Sequence, residues 1–397
     1  MVADSDYLYA QSGGVCYRSP LGDIQTFDTR GDAQAITEAG YDFTSLGDIK
    51  QMHVAPDGSL LFAITALIDP DVDGLVRYFI YRSTDGGDTF GDYALRLGWD
   101  GAAHQPSRRP LGKHSFANIK LGDGTDAVLM GEYTTTDEEK ALRVHISTDH
   151  GATWATMWAV NTGLTENFRH VHSVYQNPYN QKIMVCLGDT VAAMIQGAAP
   201  ANAAAASGAW TDIDNASYAT IAADGDYTTS ANEQKYRAID VAFRHGLMIW
   251  GSDTNTNGEI GVWNQTHDLS GSATLVLADA AAYWETNFDG VPLMLELPNG
   301  KLIVHEWALP SSAPNKIQFW GSGDGISWAK VGHLNLDPAR SAASDSFTRT
   351  IVLPDGRIIM ADGSSRMDLG GVNENPMFQA EYHSDGTDRT LGPLDDL

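Results

Sequence analysis

Cysteine is scarce in this chain: Cys16 and Cys186 are the only two among 397 residues. Two cysteines so far apart do not predict a disulfide framework, and we interpret both as core residues. No run of about 18 apolar residues is present, so insertion into a membrane is not predicted. The opening residues, MVADSDYLYA, have neither a basic start nor an apolar stretch, so no signal peptide is predicted. Secretion after signal removal, association with a virus particle and a cytoplasmic location all stay open.

Positive charge is the second shortage. The 25 Lys and Arg residues are outnumbered by 51 Asp and Glu residues, which gives a formal net charge of −26. Such a surface repels nucleic acid and anionic membranes, so neither is predicted as a partner. An acidic ligand would therefore need a local cluster of arginine and histidine against this background.

A short turn recurs six times between strand-like runs. It occurs at 55–58 (APDG), 121–124 (LGDG), 177–180 (NPYN), 244–246 (RHG), 297–300 (LPNG) and 353–356 (LPDG). Each turn is flanked by apolar, β-branched or alternating segments, which is typical of β-hairpins. The spacing of roughly sixty residues fits a four-stranded unit. The pattern predicts an all-β array of such units.

A second repeat follows these hairpins. The octets STDGGDTF (83–90) and STDHGATW (147–154) begin 64 residues apart, and SGDGISW (322–328) is a shorter variant. Serine and aspartate can hydrogen-bond the backbone of a turn, glycine supplies a positive φ, and the aromatic residue anchors the turn. We therefore interpret the octet as a structural part of each unit rather than as a catalytic site.

The octet resembles the Asp-box of the sialidase-like β-propellers, and within that superfamily the chain is most similar to the propeller polysaccharide lyases. The resemblance covers residues 1–397 and implies a single all-β propeller domain with Asp-box turns between the third and fourth strands of each blade. Six hairpins plus a partial N-terminal unit favour seven four-stranded blades, with six as the alternative. The N-terminal and C-terminal segments would close the ring.

The rim of the axial channel is the predicted site. In an up-and-down blade, the start of the inner strand and the end of the second strand share the face opposite the octets. Histidine, arginine and carboxylate side chains concentrated there favour a functional rim. The residues predicted to contact substrate are His114, Glu132, Tyr133, Arg169, Asn287, His305 and Arg349. The residues predicted to be catalytic are His170, His172, Tyr236 and Arg237, and strand alternation puts His170 and His172 on one side.

Three functions are compatible with this rim, and each has a cell-surface glycan or another acidic polysaccharide as its ligand. A lyase that cleaves at a uronate needs a cation against the carboxylate, a base and an acid, which Arg, His and Tyr can supply. A non-catalytic glycan-binding propeller of a phage-like virion needs only the cationic and aromatic rim, and would have virion assembly partners. A sialidase-type hydrolase needs an arginine trio, but the family's N-terminal Arg-Ile-Pro motif is absent.

One acidic loop has calcium-like spacing. The stretch DPDVDG places Asp69, Asp71 and Asp73 at alternate positions, but position 12 of an EF-hand would be Ile80, which excludes that motif. A structural calcium ion and a plain acidic loop are both compatible with this sequence. No cofactor is predicted to be required.

Overall fold

A computed structural model provides the structure of the chain. It describes residues 1–24, 26–38, 40–68, 75–97, 110, 113–133, 142–159, 168–189, 192–210, 218–224, 235–252, 261–268, 272–277, 293–305, 316–335, 349–361, 377–380 and 389–391. The chain divides into two compact units. Unit 1 comprises Met1–Gln176, Gln181–Leu187 and Ile195–Thr220, and unit 2 comprises Asn177–Asn180, Gly188–Met194 and Ile221–Leu397.

Unit 1 begins with three antiparallel sheets. The first pairs, in chain order, β1 (Val2–Ala3), β2 (Tyr7–Ser12), β3 (Val15–Pro20) and β4 (Asp28–Asp32). In the second, β5 (Tyr41–Asp42) and β6 (Ile49–Val54) both pair with β7 (Leu60–Ile68), followed by β8 (Leu75–Ser83) and β9 (Tyr93–Arg96). The third pairs β10 (Phe116–Lys120), β11 (Asp126–Gly131), β12 (Arg143–Ser147) and β13 (Ala155–Ala159).

The fourth sheet has residues in both units. Its strands are β14 (Phe168–Gln176), β15 (Ile183–Asp189), β16 (Ala192–Gly197) and β17 (Tyr218–Asp224), again paired in chain order. Helical structure in the described residues is confined to three short 3-10 turns, Ala33–Ala35, Lys113–Ser115 and Ala203–Ala205. Among those residues no helix is long and apolar enough to cross a membrane.

Unit 2 continues the same pattern. One sheet pairs β18 (Ala238–Arg244), β19 (Leu247–Ser252), β20 (Val262–Thr266) and β21 (Thr274–Leu277). The next pairs β22 (Leu293–Glu296), β23 (Leu302–His305), β24 (Lys316–Ser322) and β25 (Ala329–Asn335). A last sheet pairs β26 (Arg349–Val352), β27 (Ile358–Ala361) and β28 (Met377–Ala380). The strand β29 (Arg389–Leu391) lies parallel to β25.

The six predicted hairpins are confirmed, and local turn chemistry explains four of them. In the turn between β6 and β7, the amide of Gly58 donates to the carbonyl of Ala55, while Asp57 accepts the amide of Ser59 at 3.0 Å. Gly58 has a φ of +85°, which glycine adopts without strain. The turns that lead into β11, β23 and β27 have the same bonds, with Asp123, Asn299 and Asp355 as the acceptors.

The octets form closed turns held by their own side chains. The hydroxyl of Ser147 donates to Asp149 at 2.8 Å and accepts the amide of Gly151 at 2.7 Å. The same carboxylate accepts both the amide of Thr153 at 2.8 Å and its hydroxyl at 2.6 Å. All four bonds recur in the copy at 83–90.

Each octet joins the third and fourth strands of its sheet and packs on the preceding sheet. The three copies connect β8 to β9, β12 to β13 and β24 to β25. A Cβ added at Gly151 would overlap the side chain of Leu61 on β7, and one at Gly325 would overlap Ile249 on β19. Glycine at this position therefore permits a close approach between successive sheets.

The cores lie between successive sheets, so the strands of the middle sheets are buried on both faces. Phe62 on β7 packs with Tyr9 and Cys16 of the first sheet. The next residue along the strand, Leu61, points to the other face and packs with Val128 and Met130 of the third sheet. Both cysteines are buried, as predicted for core residues, and burial raises the pKa of Cys16 to about 12.

The all-β prediction is confirmed in the described residues, which contain many small antiparallel sheets. The number of blades and the closure of the ring by the terminal segments stay predictions.

Candidate functional site

The end of β11 and the start of β14 come together in unit 1. Two residues follow β11 directly, Glu132 and Tyr133, and the backbone of Tyr133 forms a β-bridge with His170. The amide of Val171 donates to the carbonyl of Glu132 at 3.0 Å. The end of the second strand of one sheet is thereby joined to the start of the first strand of the next.

Three aromatic rings stack at this junction. The ring of Tyr133 lies nearly parallel to that of His170, with centroids 3.9 Å apart and an interplanar angle of 7°. His172 continues the stack, 5.7 Å from His170 at 17°. The predicted shared side of the two histidines is thus confirmed. We call Tyr133, His170 and His172 the rim stack.

Burial differs along the rim stack. His170 and His172 are only 3% and 2% exposed, whereas Tyr133 is partly exposed. Tyr133 is therefore the member that an external ligand reaches first, with both imidazoles beneath the surface. The sequence did not predict this order, because alternation gives the side of a strand and not its depth in the sheet.

A buried acid–histidine pair lies beside the rim stack. Oε1 of Glu132 is 2.8 Å from Nε2 of His145 on β12, and the two residues are 0% and 4% exposed. The amide of Glu132 also donates to the carbonyl of Arg143 at 3.0 Å. Glu132, which the sequence predicts to contact substrate, is fully buried in this structure and is bonded to His145.

His114 lies at the entry to β10, within a 3-10 turn. Its ring is 5.8 Å from that of Tyr175 on β14, with the planes tilted by 32°. It is partly exposed, and the serine that follows it, Ser115, is fully buried. His114 thus contacts β14, the strand that carries His170 and His172 of the rim stack.

A second aromatic cluster surrounds the predicted Tyr236 in unit 2. Tyr236 is 9% exposed and stacks on Trp250 at 5.8 Å and 24°. The ammonium group of Lys235 lies 5.5 Å from the centroid of the Tyr236 ring and 5.9 Å from that of Trp263, within the range of cation–π attraction. Arg237 follows, partly exposed, just before β18.

The remaining predicted residues are placed only in part. Arg169, His305 and Arg349 lie at the start of β14, the end of β23 and the start of β26, which are rim positions by the strand order. Asn287 lies outside the described residues, and so do Asp69, Asp71 and Asp73 of the calcium prediction. In the described part of the chain, no group of three His, Cys, Asp or Glu residues is arranged to hold a metal ion.

Sequence reasoning missed His145 and Lys235. His145 lies on β12 opposite Met130 of β11 in a regular register, so strand alternation places it on the same face as Glu132. The sequence pattern did not give the register between these two strands, and the pair depends on it. Lys235 could have been found, because it directly precedes the predicted pair Tyr236 and Arg237.

No protein-family model and no curated protein sequence matches the chain. Solved structures do match the chain in fold. A Bacteroides fragilis NCTC 9343 protein assigned to the 6-phosphogluconolactonases has a TM-score of 0.55 at 12% identity, over 99% of this chain and 95% of that one. A Lactobacillus plantarum protein has a TM-score of 0.54 at 10% identity, over the same shares. At such identities these likenesses show the fold alone.

The structural similarities extend to glycoside-cleaving enzymes at lower scores. The GH93 α-L-arabinofuranosidase of Fusarium graminearum, solved with arabinobiose, has a TM-score of 0.46 at 13% identity, over 95% of this chain and 98% of that one. A similarity of that size carries no argument about what this chain does.

Proposed function

We propose that this protein is a carbohydrate-active propeller that recognises an acidic polysaccharide and cleaves it by β-elimination at a uronate. The observation that carries the proposal is the rim stack, in which a partly exposed tyrosine covers two histidines at the junction of two sheets. Tyrosine and histidine are side chains that can take a proton from carbon and return one to a leaving oxygen.

The chemistry divides among the residues by type. A uronate carboxylate must be neutralised before its α-proton is acidic enough to be removed, and arginine does this with a bidentate hydrogen bond. Arg169, Arg237 and Arg349 are the proposed contacts for carboxylate or sulfate. His170 or His172 is the proposed proton-handling group in unit 1, and Tyr236 is a proposed acid or base in unit 2. Tyr133 is the proposed stacking surface for a sugar ring, since it is the accessible member of the rim stack.

The second candidate function is glycan binding without cleavage, as in an attachment protein of a virus particle. The burial of His170 and His172 favours it, because a general base must come within hydrogen-bond reach of the proton that it removes. Binding needs only Tyr133 and cationic side chains near the surface. A sialidase-type hydrolase is the third candidate.

A screen with two readouts separates these functions. Uronate-containing and sialylated polymers are incubated with the protein, and near-ultraviolet absorbance and reducing ends are both followed. Elimination creates an unsaturated uronate that absorbs, whereas hydrolysis gives reducing ends alone. We expect absorbance to rise with a uronate polymer. Binding by calorimetry with neither product would establish the non-catalytic function instead.

The residue assignment is tested on the polymer that is cleaved. We expect His172→Gln, His170→Gln or Tyr236→Phe to lower kcat by a factor of about 100, the usual scale for losing a general acid or base. His245→Asn is the matched control, since His245 is an exposed turn residue with a φ of +49° that asparagine also adopts. Full activity in all three variants would show that the assignment is wrong.

A further inference from the structure

The Glu132–His145 pair is an unusual feature for the middle of a sheet. Both side chains are at least 94% buried, and the neighbouring residues of β11, Val128 and Met130, belong to the apolar core. Removing a carboxylate and an imidazole from water is costly unless they bond each other well. Their 2.8 Å hydrogen bond meets that condition. The pair can therefore be kept in an apolar core, where it supplies a directional contact that apolar side chains do not.

The backbone places the two partners on one face. His145 pairs with Met130 in the regular antiparallel register of β11 and β12, so it lies on the same face as Glu132, two residues beyond Met130. Two residues before His145, the carbonyl of Arg143 accepts the amide of Glu132 at 3.0 Å. Glu132 is therefore attached to β12 through both its backbone and its side chain.

The other side of Glu132 is attached to β14. Its carbonyl accepts the amide of Val171, the residue between the two histidines of the rim stack. The residue before it is Gly131, and a Cβ there would overlap the side chain of Val171, so β14 packs closely on the end of β11. These contacts tie the end of β11 both to β12 and to the strand that carries His170 and His172.

Tyr133 is the next residue, and its position depends on these ties. Its ring lies face to face with His170, and its backbone forms the isolated bridge to the same residue. If the backbone at residue 132 rotated, the ring of Tyr133 would leave the stack. A hydrogen bond depends strongly on the direction of its donor and acceptor, whereas an apolar contact depends on direction much less. A polar pair in this otherwise apolar core can therefore fix the orientation of the backbone at residue 132.

We propose that Glu132 and His145 form a positioning pair that holds Tyr133 against His170. Glu132, predicted from the sequence to contact substrate, then acts through Tyr133 rather than on the ligand itself. The inference rests on the proposed function only for its effect on catalysis, since the geometry it explains is independent of the reaction.

The structural arm of the test follows the stack directly. Protein carrying ¹³C at histidine Cε1 is compared as wild type, Tyr133→Leu, His145→Leu and His145→Gln, with the His170 resonance assigned from His170→Gln. The face of the Tyr133 ring shields His170, so Tyr133→Leu gives the unstacked position of the resonance. We expect His145→Leu to move the resonance toward that position. His145→Gln should leave it near the wild-type position, because a glutamine amide can still donate to Glu132.

The kinetic arm uses the polymer cleaved in the screen above. We expect His145→Leu to lower kcat about tenfold or more, since a displacement on the order of 1 Å in an active site can cost a factor of 100. KM should change less, and His145→Gln should restore most of kcat. Gly151→Ala, a destabilising change at the octet turn, is the control for lost stability and should keep kcat.

The double variant Glu132→Leu, His145→Leu separates positioning from folding. Replacing both partners removes the unpaired buried group, so its melting temperature should exceed that of His145→Leu. Its His170 resonance should still be displaced and its kcat still low. A wild-type His170 resonance in both leucine variants would overturn the inference. If the wild type cleaves no polymer, the proposed function fails, and the resonance positions still decide whether the pair holds the stack.

Discussion

Gly151 offers a quantitative test of how the octet turns connect the sheets. It has a φ of +89°, and Gly58, in the turn between β6 and β7, has a nearly identical φ of +85°. Their surroundings differ: a methyl group at Gly58 would meet no atom within 4 Å, whereas one at Gly151 would overlap Leu61. The two alanine variants therefore share a backbone cost and differ in packing.

The magnitudes follow from these surroundings. An alanine in the left-handed region costs about 1–2 kcal/mol, which is the whole effect expected for Gly58→Ala. Gly151→Ala adds the penalty of overpacking a filled core, about 1–3 kcal/mol, because Leu61 is fully buried and cannot swing into solvent. We therefore expect Gly151→Ala to lower the free energy of unfolding by about 2–5 kcal/mol in total.

The assay is urea denaturation followed by tryptophan fluorescence, with Leu61→Ala added to each background. Leu61→Ala makes room for the new methyl group, so its cost should be smaller in the Gly151→Ala background, with a coupling energy of about 0.5–3 kcal/mol. Equal destabilisation by Gly58→Ala and Gly151→Ala, with no coupling to Leu61, would refute the contact between the octet and the preceding sheet.

The two remaining predictions concern pH and calcium. Burial lowers the pKa of the His53 imidazole to about 4, so the folded state favours its neutral form. The stability that His53 contributes is fully present above its ordinary pKa of 6.5 and is lost as the pH falls toward 4. The advantage of wild type over His53→Gln in unfolding free energy should shrink between pH 7 and 4.5, and a constant difference would contradict this. If Asp71 helps to bind calcium, EDTA should lower the melting temperature of the wild type but not of Asp71→Ala; equal responses would exclude that site.

The hairpins and octets could be predicted from sequence because their bonds are local. In four of the six hairpin turns the acidic or amide side chain bonds the amide two residues on, and glycine supplies the positive φ. In the octet, the bonds span four residues. Short-range geometry of this kind is contained in the spacing of the residues, and no tertiary information is needed to predict it.

The rim stack could be predicted only in part. The common side of His170 and His172 follows from strand alternation, whereas the contact of Tyr133 with His170 depends on two strands 37 residues apart. The pairing of Glu132 with His145 likewise depends on the register of β11 against β12, in which Met130 lies opposite His145. Long-range pairing depends on how whole sheets pack, which a turn motif does not encode.

The shorter octet shows why catalysis is not expected at these turns. The carboxylate of Asp324 accepts hydrogen bonds from the backbone amides of Ser327 and Ile326, which lower its pKa to about 2. A carboxylate held so far into its charged form is a weak base near neutral pH, because a useful base has a pKa close to the working pH. Its hydrogen-bonding capacity is already used within the turn, which fits a structural part repeated from sheet to sheet.

The two ends of the second strands differ in how far their sequences repeat from sheet to sheet. At their starts, β7, β11, β23 and β27 follow the same Asp-Gly or Asn-Gly turn. At their ends the residues differ from sheet to sheet: Glu132 and Tyr133 follow β11, Ser252 ends β19, and His305 ends β23. Strand ends that served folding alone would be expected to repeat from sheet to sheet, as the turns do. The ends of the second strands vary instead, so their side chains can be suited to a ligand. The rim stack and its buried positioning pair lie at one of these ends.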